Sequence, residues 1–230
     1  MATAESVKAK IQSLITKANT ATGRADKDMT SAVNALVSGY GGGGGELPTG
    51  YRRADYIQFT GEELVDTGLI GNQDTRIQLC FTRENSNQRY LFGCASADNT
   101  AAVTAYLGGT WRFGNKYATK TTSVIDEAMA YFAYFDKTAI NVTGSLSDIS
   151  DVNDFETIGS ILLGGCRSSD GGLPTTLFIG KVFFFYVWKD GTAALKLVPV
   201  TDGSTFRFFD MVSKTFFDSI TDAALGGGDL

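Results

Sequence analysis

Of the side chains that commonly do chemistry, one type is missing: the 230 residues include no histidine. This removes the usual general base at neutral pH and the commonest metal ligand, so Ser-His-Asp and Cys-His catalysis are excluded. Two carboxylates could still hydrolyse a glycosidic bond if they flanked it about 5–9 Å apart. The spacing does not offer such a pair. Glu62 and Glu63 are neighbours that would face opposite ways on a strand, and Glu84, Glu127 and Glu156 stand alone. No Glu-x-Asp-x-Glu run exists. The expectation is a protein that binds or builds and is not an enzyme.

Two constellations suit binding. In Asp148-Ile149-Ser150-Asp151-Val152-Asn153-Asp154, the oxygens of Asp148, Asp151, Asn153 and Asp154 are close enough in sequence to chelate Ca²⁺, which takes six to eight oxygen ligands. The run lacks an EF-hand's glycine and final glutamate, and the same residue types make ordinary solvated turns. Calcium is therefore the one cofactor to consider, against a plain loop. The second constellation is Tyr106, Trp111, Arg112 and Asn115 around the Gly108-Gly109 pair. An aromatic ring can stack on the apolar face of a sugar while amides and charged groups take its hydroxyls. Core packing explains Tyr106 and Trp111 equally well. Cys80, Cys94 and Cys166 have no CxxC spacing and read as free, buried thiols. The sequon Asn141-Val142-Thr143 matters only in a secretory eukaryotic setting, which nothing else in the sequence supports.

Three segments must position these groups. Residues 1–40 have apolar side chains at Val7, Ile11, Leu14, Ile15 and Ala18, then at Met29, Val33, Leu36 and Val37, the spacing of amphipathic helices. Ala21–Asp26 breaks the pattern, Asp28 or Thr30 can cap the second helix, and Gly39 can end it. Helices this short are marginal alone in water, so these apolar stripes are expected to mediate oligomerisation or docking. Residues 41–50 open with five glycines and read as a linker. A phosphate-binding loop would need a preceding strand, a following helix and a Lys-Ser/Thr pair, all missing here.

From residue 51 to 230 the period becomes two, as where Ile77, Leu79 and Phe81 alternate with Gln78, Cys80 and Thr82. Further short apolar runs span Tyr56–Phe59, Tyr90–Cys94, Val103–Leu107, Trp111–Phe113, Tyr131–Phe135, Ile161–Leu163, Phe178–Trp188, Leu195–Val200 and Phe206–Phe209. Gly108-Gly109, Asp190-Gly191 and Asp202-Gly203 punctuate them as turns that tolerate positive φ. The fold class expected is mainly β, an antiparallel jelly-roll sandwich preceded by a short helical segment; a closed barrel is the alternative. Lys181–Trp188 is apolar on both faces, which suits a central strand covered on each side or a sheet face met by a partner subunit.

The charge balance narrows the partners. Residues 1–40 carry five basic and three acidic groups, leaving 15 basic and 22 acidic beyond them within a net charge of -5. That field repels a polyanion, so nucleic acid is not expected. No apolar run reaches the roughly 18 residues of a membrane span, and Met1–Lys10 has no apolar core of an export signal. Neither membrane insertion nor export is expected.

Several segments resemble a known pattern. Tyr56-Ile57-Gln58-Phe59-Thr60-Gly61 with Leu64-Val65-Asp66-Thr67-Gly68 is similar to the opening of concanavalin-like (laminin-G-like) jelly-roll domains in phage and prophage tail fibre and baseplate proteins. Tyr90–Gly93, Phe178–Val182 and Leu197–Val200 through Phe217 resemble that family's later segments in the same order. Residues Ser6–Ala18 and Asp26–Gly41 are similar to its N-terminal mounts. The chain departs in its aromatic Val182–Trp188 strand and in Glu63-Leu64-Val65, where the family's opening carries Gln-Tyr. The resemblance implies a virion tail component assembled in the bacterial cytoplasm. It would be a homo-oligomer, expected as a trimer, meeting other tail or baseplate proteins and a host-surface glycan or protein. A capsid or baseplate decoration protein without glycan binding is the alternative, and a glycan hydrolase a lesser one.

Overall fold

The computed structural model describes residues 46–84, 89–107, 110–119, 130–142, 145–175 and 177–228. The helical stripes of residues 1–40, the pentaglycine, the Gly108-Gly109 pair, Glu127 and Thr143 of the sequon lie outside the described residues. Residues 47–230 form one compact unit.

All regular structure among the described residues is strand. In chain order the strands are β1 (Arg52–Arg53), β2 (Tyr56–Thr60), β3 (Val65–Asn72), β4 (Thr75–Arg83), β5 (Tyr90–Ala95), β6 (Ala102–Tyr106), β7 (Thr110–Gly114), β8 (Lys116–Thr119) and β9 (Ala130–Phe135). There follow β10 (Ala139–Val142), β11 (Ser145–Asp148), β12 (Glu156–Leu163), β13 (Ile179–Lys189), β14 (Thr192–Thr201), β15 (Phe206–Asp210), β16 (Phe216–Phe217) and β17 (Gly226–Gly228).

The named strands pair antiparallel in two sheets. The smaller runs β3-β12-β5-β6-β7-β8. The larger runs β11-β10-β9-β4-β13-β14-β15-β16, with β2 beside the first half of β13, β17 beside β2, and β1 beside β14. Each sheet turns one apolar face to the other, and alternate residues meet in a single core. Phe92 of the small sheet packs edge-on against Phe135 and Phe185 of the large one, at 5.1 and 5.6 Å between ring centres. Trp111 stacks on Phe135 at 5.1 Å. The barrel alternative is not what forms.

The aromatic strand is central: β13 pairs with β4 along one side and with β2 and β14 along the other. Val182, Phe185 and Val187 enter the core between the sheets. A register shift at Phe183 resets the alternation. Phe184 and Tyr186 then stack with each other on the opposite face, with Phe132 beside Phe184 and Trp188 beside Tyr186. Both are buried, at 2% and 1% exposure, so this strand is covered on both faces.

The turn chemistry explains the registers. Asp190 and Gly191 both have positive φ, 49° and 74°, which closes the two-residue hairpin between Lys189 and Thr192. Asp210 is fully buried at the next bend. Its Oδ1 accepts from the N–H of Lys196 at 2.7 Å and of Val212 at 3.1 Å, and its Oδ2 from that of Ser213 at 2.8 Å. These bonds stand in for the ladder that the chain gives up where it turns back toward β16.

Candidate functional site

The small sheet has one face in the core and one outside, and its outer face holds a cleft of about 510 Å³. Strand register builds it. Tyr90 lies opposite Tyr106 and Tyr106 opposite Thr110, giving one cross-strand row. Gly93, Thr104, Arg112 and Tyr117 form the next. Since paired residues share a face, both rows project outward while Val103, Ala105, Trp111 and Phe113 project into the core.

A bulge in β5 makes this phase possible. The β5–β6 register shifts between Tyr90 and Phe92, so Leu91 and Phe92 both enter the core, and Tyr90 and Gly93 both take outward positions. The Tyr90 and Tyr106 rings then lie 4.8 Å apart at 44°. Gly93 is required at the floor. A Cβ there would lie 2.7 Å from Thr104 Cγ2, 2.9 Å from the Val103 carbonyl oxygen and 3.0 Å from Cys166 Sγ. The β7–β8 hairpin turns on Gly114 and Asn115, with positive φ at Gly114 alone, the pattern of a Gly-first II′ turn. That turn brings Tyr117 back beside Arg112, whose guanidinium carbon stands 4.7 Å from the centre of the Tyr117 ring.

Arg112 is only 8% exposed, yet it lines the cleft. Its Nε donates to the Gly114 carbonyl at 3.0 Å, and Nη1 and Nη2 donate to the Asn99 carbonyl at 3.2 Å. Nη2 also donates to the Thr100 carbonyl. The turn that presents those carbonyls is organised by Asp98. Its carboxylate accepts from Ser96 Oγ at 2.7 Å, from the Thr100 N–H at 3.1 Å and from Thr100 Oγ1 at 2.9 Å. These bonds, the one from Ser96 largest, hold the Asp98 carboxyl down at about 2.

The far wall is the segment after β12. Arg167 is fixed there by Asp66 Oδ2 at 2.9 Å, the Gly171 carbonyl at 3.2 Å and Ser160 Oγ at 3.4 Å. Burial pushes the Cys166 thiol up to about 12, with nearby Cys94 adding to it, so this sulfur is a protonated wall group and not a nucleophile. Burial likewise raises the Tyr90 phenol above its ordinary value, with Cys166 and Tyr106 adding to it. Tyr90 is therefore neutral at pH 7, free to donate or accept a hydrogen bond. No Asp or Glu lines this cleft among the described residues.

The four residues singled out in the sequence separate here. Tyr106 and Arg112 line the cleft. Trp111 does not, which corrects the reading of it as a ligand contact: it sits one residue out of phase, is 0% exposed, and packs against Phe81 and Phe135. Asn115 is at the tip of the hairpin, where its Oδ1 accepts from the Asn153 N–H at 3.2 Å and its side chain borders a neighbouring cleft. Tyr90, Thr104, Tyr117 and Arg167 were not foreseen. The bulge and the long return from β12 that place them leave no local mark, although Gly114-Asn115 could have announced Tyr117.

The oxygen-rich run is drawn out along the surface. Asp148 ends β11; Asp151, Asn153 and Asp154 are exposed along the connection to β12, and Ile149 is buried between them. Asn153 and Asp154 border the neighbouring cleft with Asn115, and Asp151 takes the Ser150 hydroxyl at 3.3 Å. Among the described residues no group of three or more Asp, Glu, Cys or His side chains could hold a metal ion.

In comparisons with known proteins, no family model matches this chain, and no curated protein matches it.

Proposed function

We propose that this chain is a lectin-like, saccharide-binding head, and that the outer cleft of its small sheet is the binding site. The observation carrying the reading is the pairing of Tyr90 and Tyr106, 4.8 Å apart, beside Tyr117, Arg112 and Thr104 on one open face. Phenol rings offer flat apolar surface with a polar rim, and the surrounding hydroxyl, guanidinium and amide groups can take sugar hydroxyls. The lining has the groups for binding; a two-carboxylate hydrolysis would need groups from elsewhere.

The jelly-roll, concanavalin-like identity and the setting rest on the sequence resemblance. On that reading the head belongs to a phage or prophage tail fibre. Residues 1–40 assemble it, as a trimer, onto other tail or baseplate proteins, and the pentaglycine joins mount to head. Several weak sites on one particle then act together. The experiment is adsorption: purified full-length chain should bind the host cell surface and compete with particles for it. Removing residues 1–45 should leave a folded monomer in sedimentation that binds far more weakly. A full-length oligomer that adsorbs to no cell and no glycan would instead support a decoration protein, and a truncated chain that still forms trimers would defeat the mount.

A further inference from the structure

The cleft carries a charge preference, and the inference from it rests on the saccharide reading above. We propose that its ligand is an acidic saccharide, whose carboxylate or phosphate ester is held at Arg112. Three observations support this. First, the guanidinium of Arg112 is nearly buried, but its four hydrogen bonds go to backbone carbonyls and none to a carboxylate. Of its five N–H groups, one on Nη1 is left to donate. Carbonyl dipoles solvate a cation without cancelling its charge, and a buried cation ordinarily has an anionic partner.

Second, the cleft's other cation is already neutralised, since Arg167 pairs with Asp66 at 2.9 Å. Two acids of the adjoining turns have other partners. Asp98 turns to Ser96 and Thr100 and borders the neighbouring cleft, and Asp170 takes the Ser168 hydroxyl and the Gly172 N–H. Among the described residues the lining therefore holds two arginines and no carboxylate, in a protein of net charge -5. Third, the remaining lining can complete an anion site. The Tyr90 hydroxyl is a donor on the same face, and Asn99, whose carbonyl holds Arg112, closes one side. A neutral sugar would leave the Arg112 charge unmatched. An anionic group placed at Nη1 would match it in a partly desolvated cleft, where screening is weak.

The test uses the full chain and three probes: an oligosaccharide of uronic acids, the same oligosaccharide with its carboxyl groups reduced to alcohols, and a phosphorylated oligosaccharide. The expected result is binding of the acid at least tenfold tighter than of its reduced counterpart. Binding of the phosphorylated sugar alone would assign the anion as a phosphate ester and keep the inference. Equal binding of acid and reduced forms would overturn the inference and leave the saccharide reading standing. Binding of none of them, nor of any glycan on an array, by correctly folded protein would overturn both. Arg112→Lys and Arg112→Gln extend the test: the lysine variant should keep the preference for the acid, and the glutamine variant should lose it. The wild-type comparison decides the matter even if both variants fold poorly.

Discussion

Replacing Gly93 by alanine probes the cleft floor and the β5–β6 register together. The new Cβ would stand 2.7 Å from Thr104 Cγ2, 2.9 Å from the Val103 carbonyl oxygen and 3.0 Å from Cys166 Sγ. Thr104 can rotate, but a ladder carbonyl in mid-sheet cannot, so the strands must separate by several tenths of an ångström. Overpacking of this kind costs about 1–3 kcal/mol. The Gly93 φ of 158° adds backbone strain for a residue with a Cβ, of order 1 kcal/mol. Together these come to about 3 kcal/mol, and at roughly 2–4 °C per kcal/mol for a domain of this size the melting temperature should fall by roughly 6–12 °C. Gly203→Ala is the control. Its φ of 96° is also positive, but nothing lies within 4 Å of an added Cβ, so it should cost only about 1–2 kcal/mol. Thermal unfolding followed by circular dichroism and by calorimetry gives both values. If Gly93→Ala lowers the melting temperature no more than Gly203→Ala does, the close approach at the floor is wrong, and the derived cleft shape with it.

Asp210→Asn should destabilise the chain by about 1–3 kcal/mol in urea unfolding, because an amide N–H₂ would face a backbone donor that the carboxylate now accepts. Acid should loosen the turn that anchors Arg112. The folded-state carboxyl of Asp98 is lowered from 3.8 to about 2, so its contribution is complete above the higher value and is lost as pH falls through the lower one. Asp202 and Asp170 shift in the same direction through hydrogen bonds of their own turns. Amide exchange of Thr100 and of neighbouring turn residues should therefore accelerate as pH is lowered through this window, once the intrinsic rate is allowed for. An unchanged rate would contradict the role given to Asp98.

Much of the fold was legible because it rests on local rules. The alternation of Ile77, Leu79 and Phe81, and the Asp190-Gly191 pair, specify strand and hairpin from neighbours alone. Lys181–Trp188 announced a central strand by having no polar face. The site was legible only in part. Tyr106 and Arg112 share an outward face through simple alternation, which by the same logic should have sent Trp111 inward. Tyr90 takes its place because a bulge spends one residue of β5, and Arg167 because the chain returns from β12, an event decided by long-range pairing. Short strands, such as Ala139–Val142 and the all-glycine Gly226–Gly228, carry too little pattern to be read without the sheets they join.

The claim that the tyrosine-flanked cleft is a saccharide site is tested most directly by measuring glycan binding of the full chain beside its Tyr90→Ala and Tyr106→Ala variants. Both positions are partly exposed, so folding should survive, as circular dichroism can verify. The wild type should bind glycan, and each variant should lose about tenfold or more in affinity, equivalent to about 1.4 kcal/mol. Wild-type binding that both variants retain in full would contradict that claim, as would a folded wild type that binds no glycan.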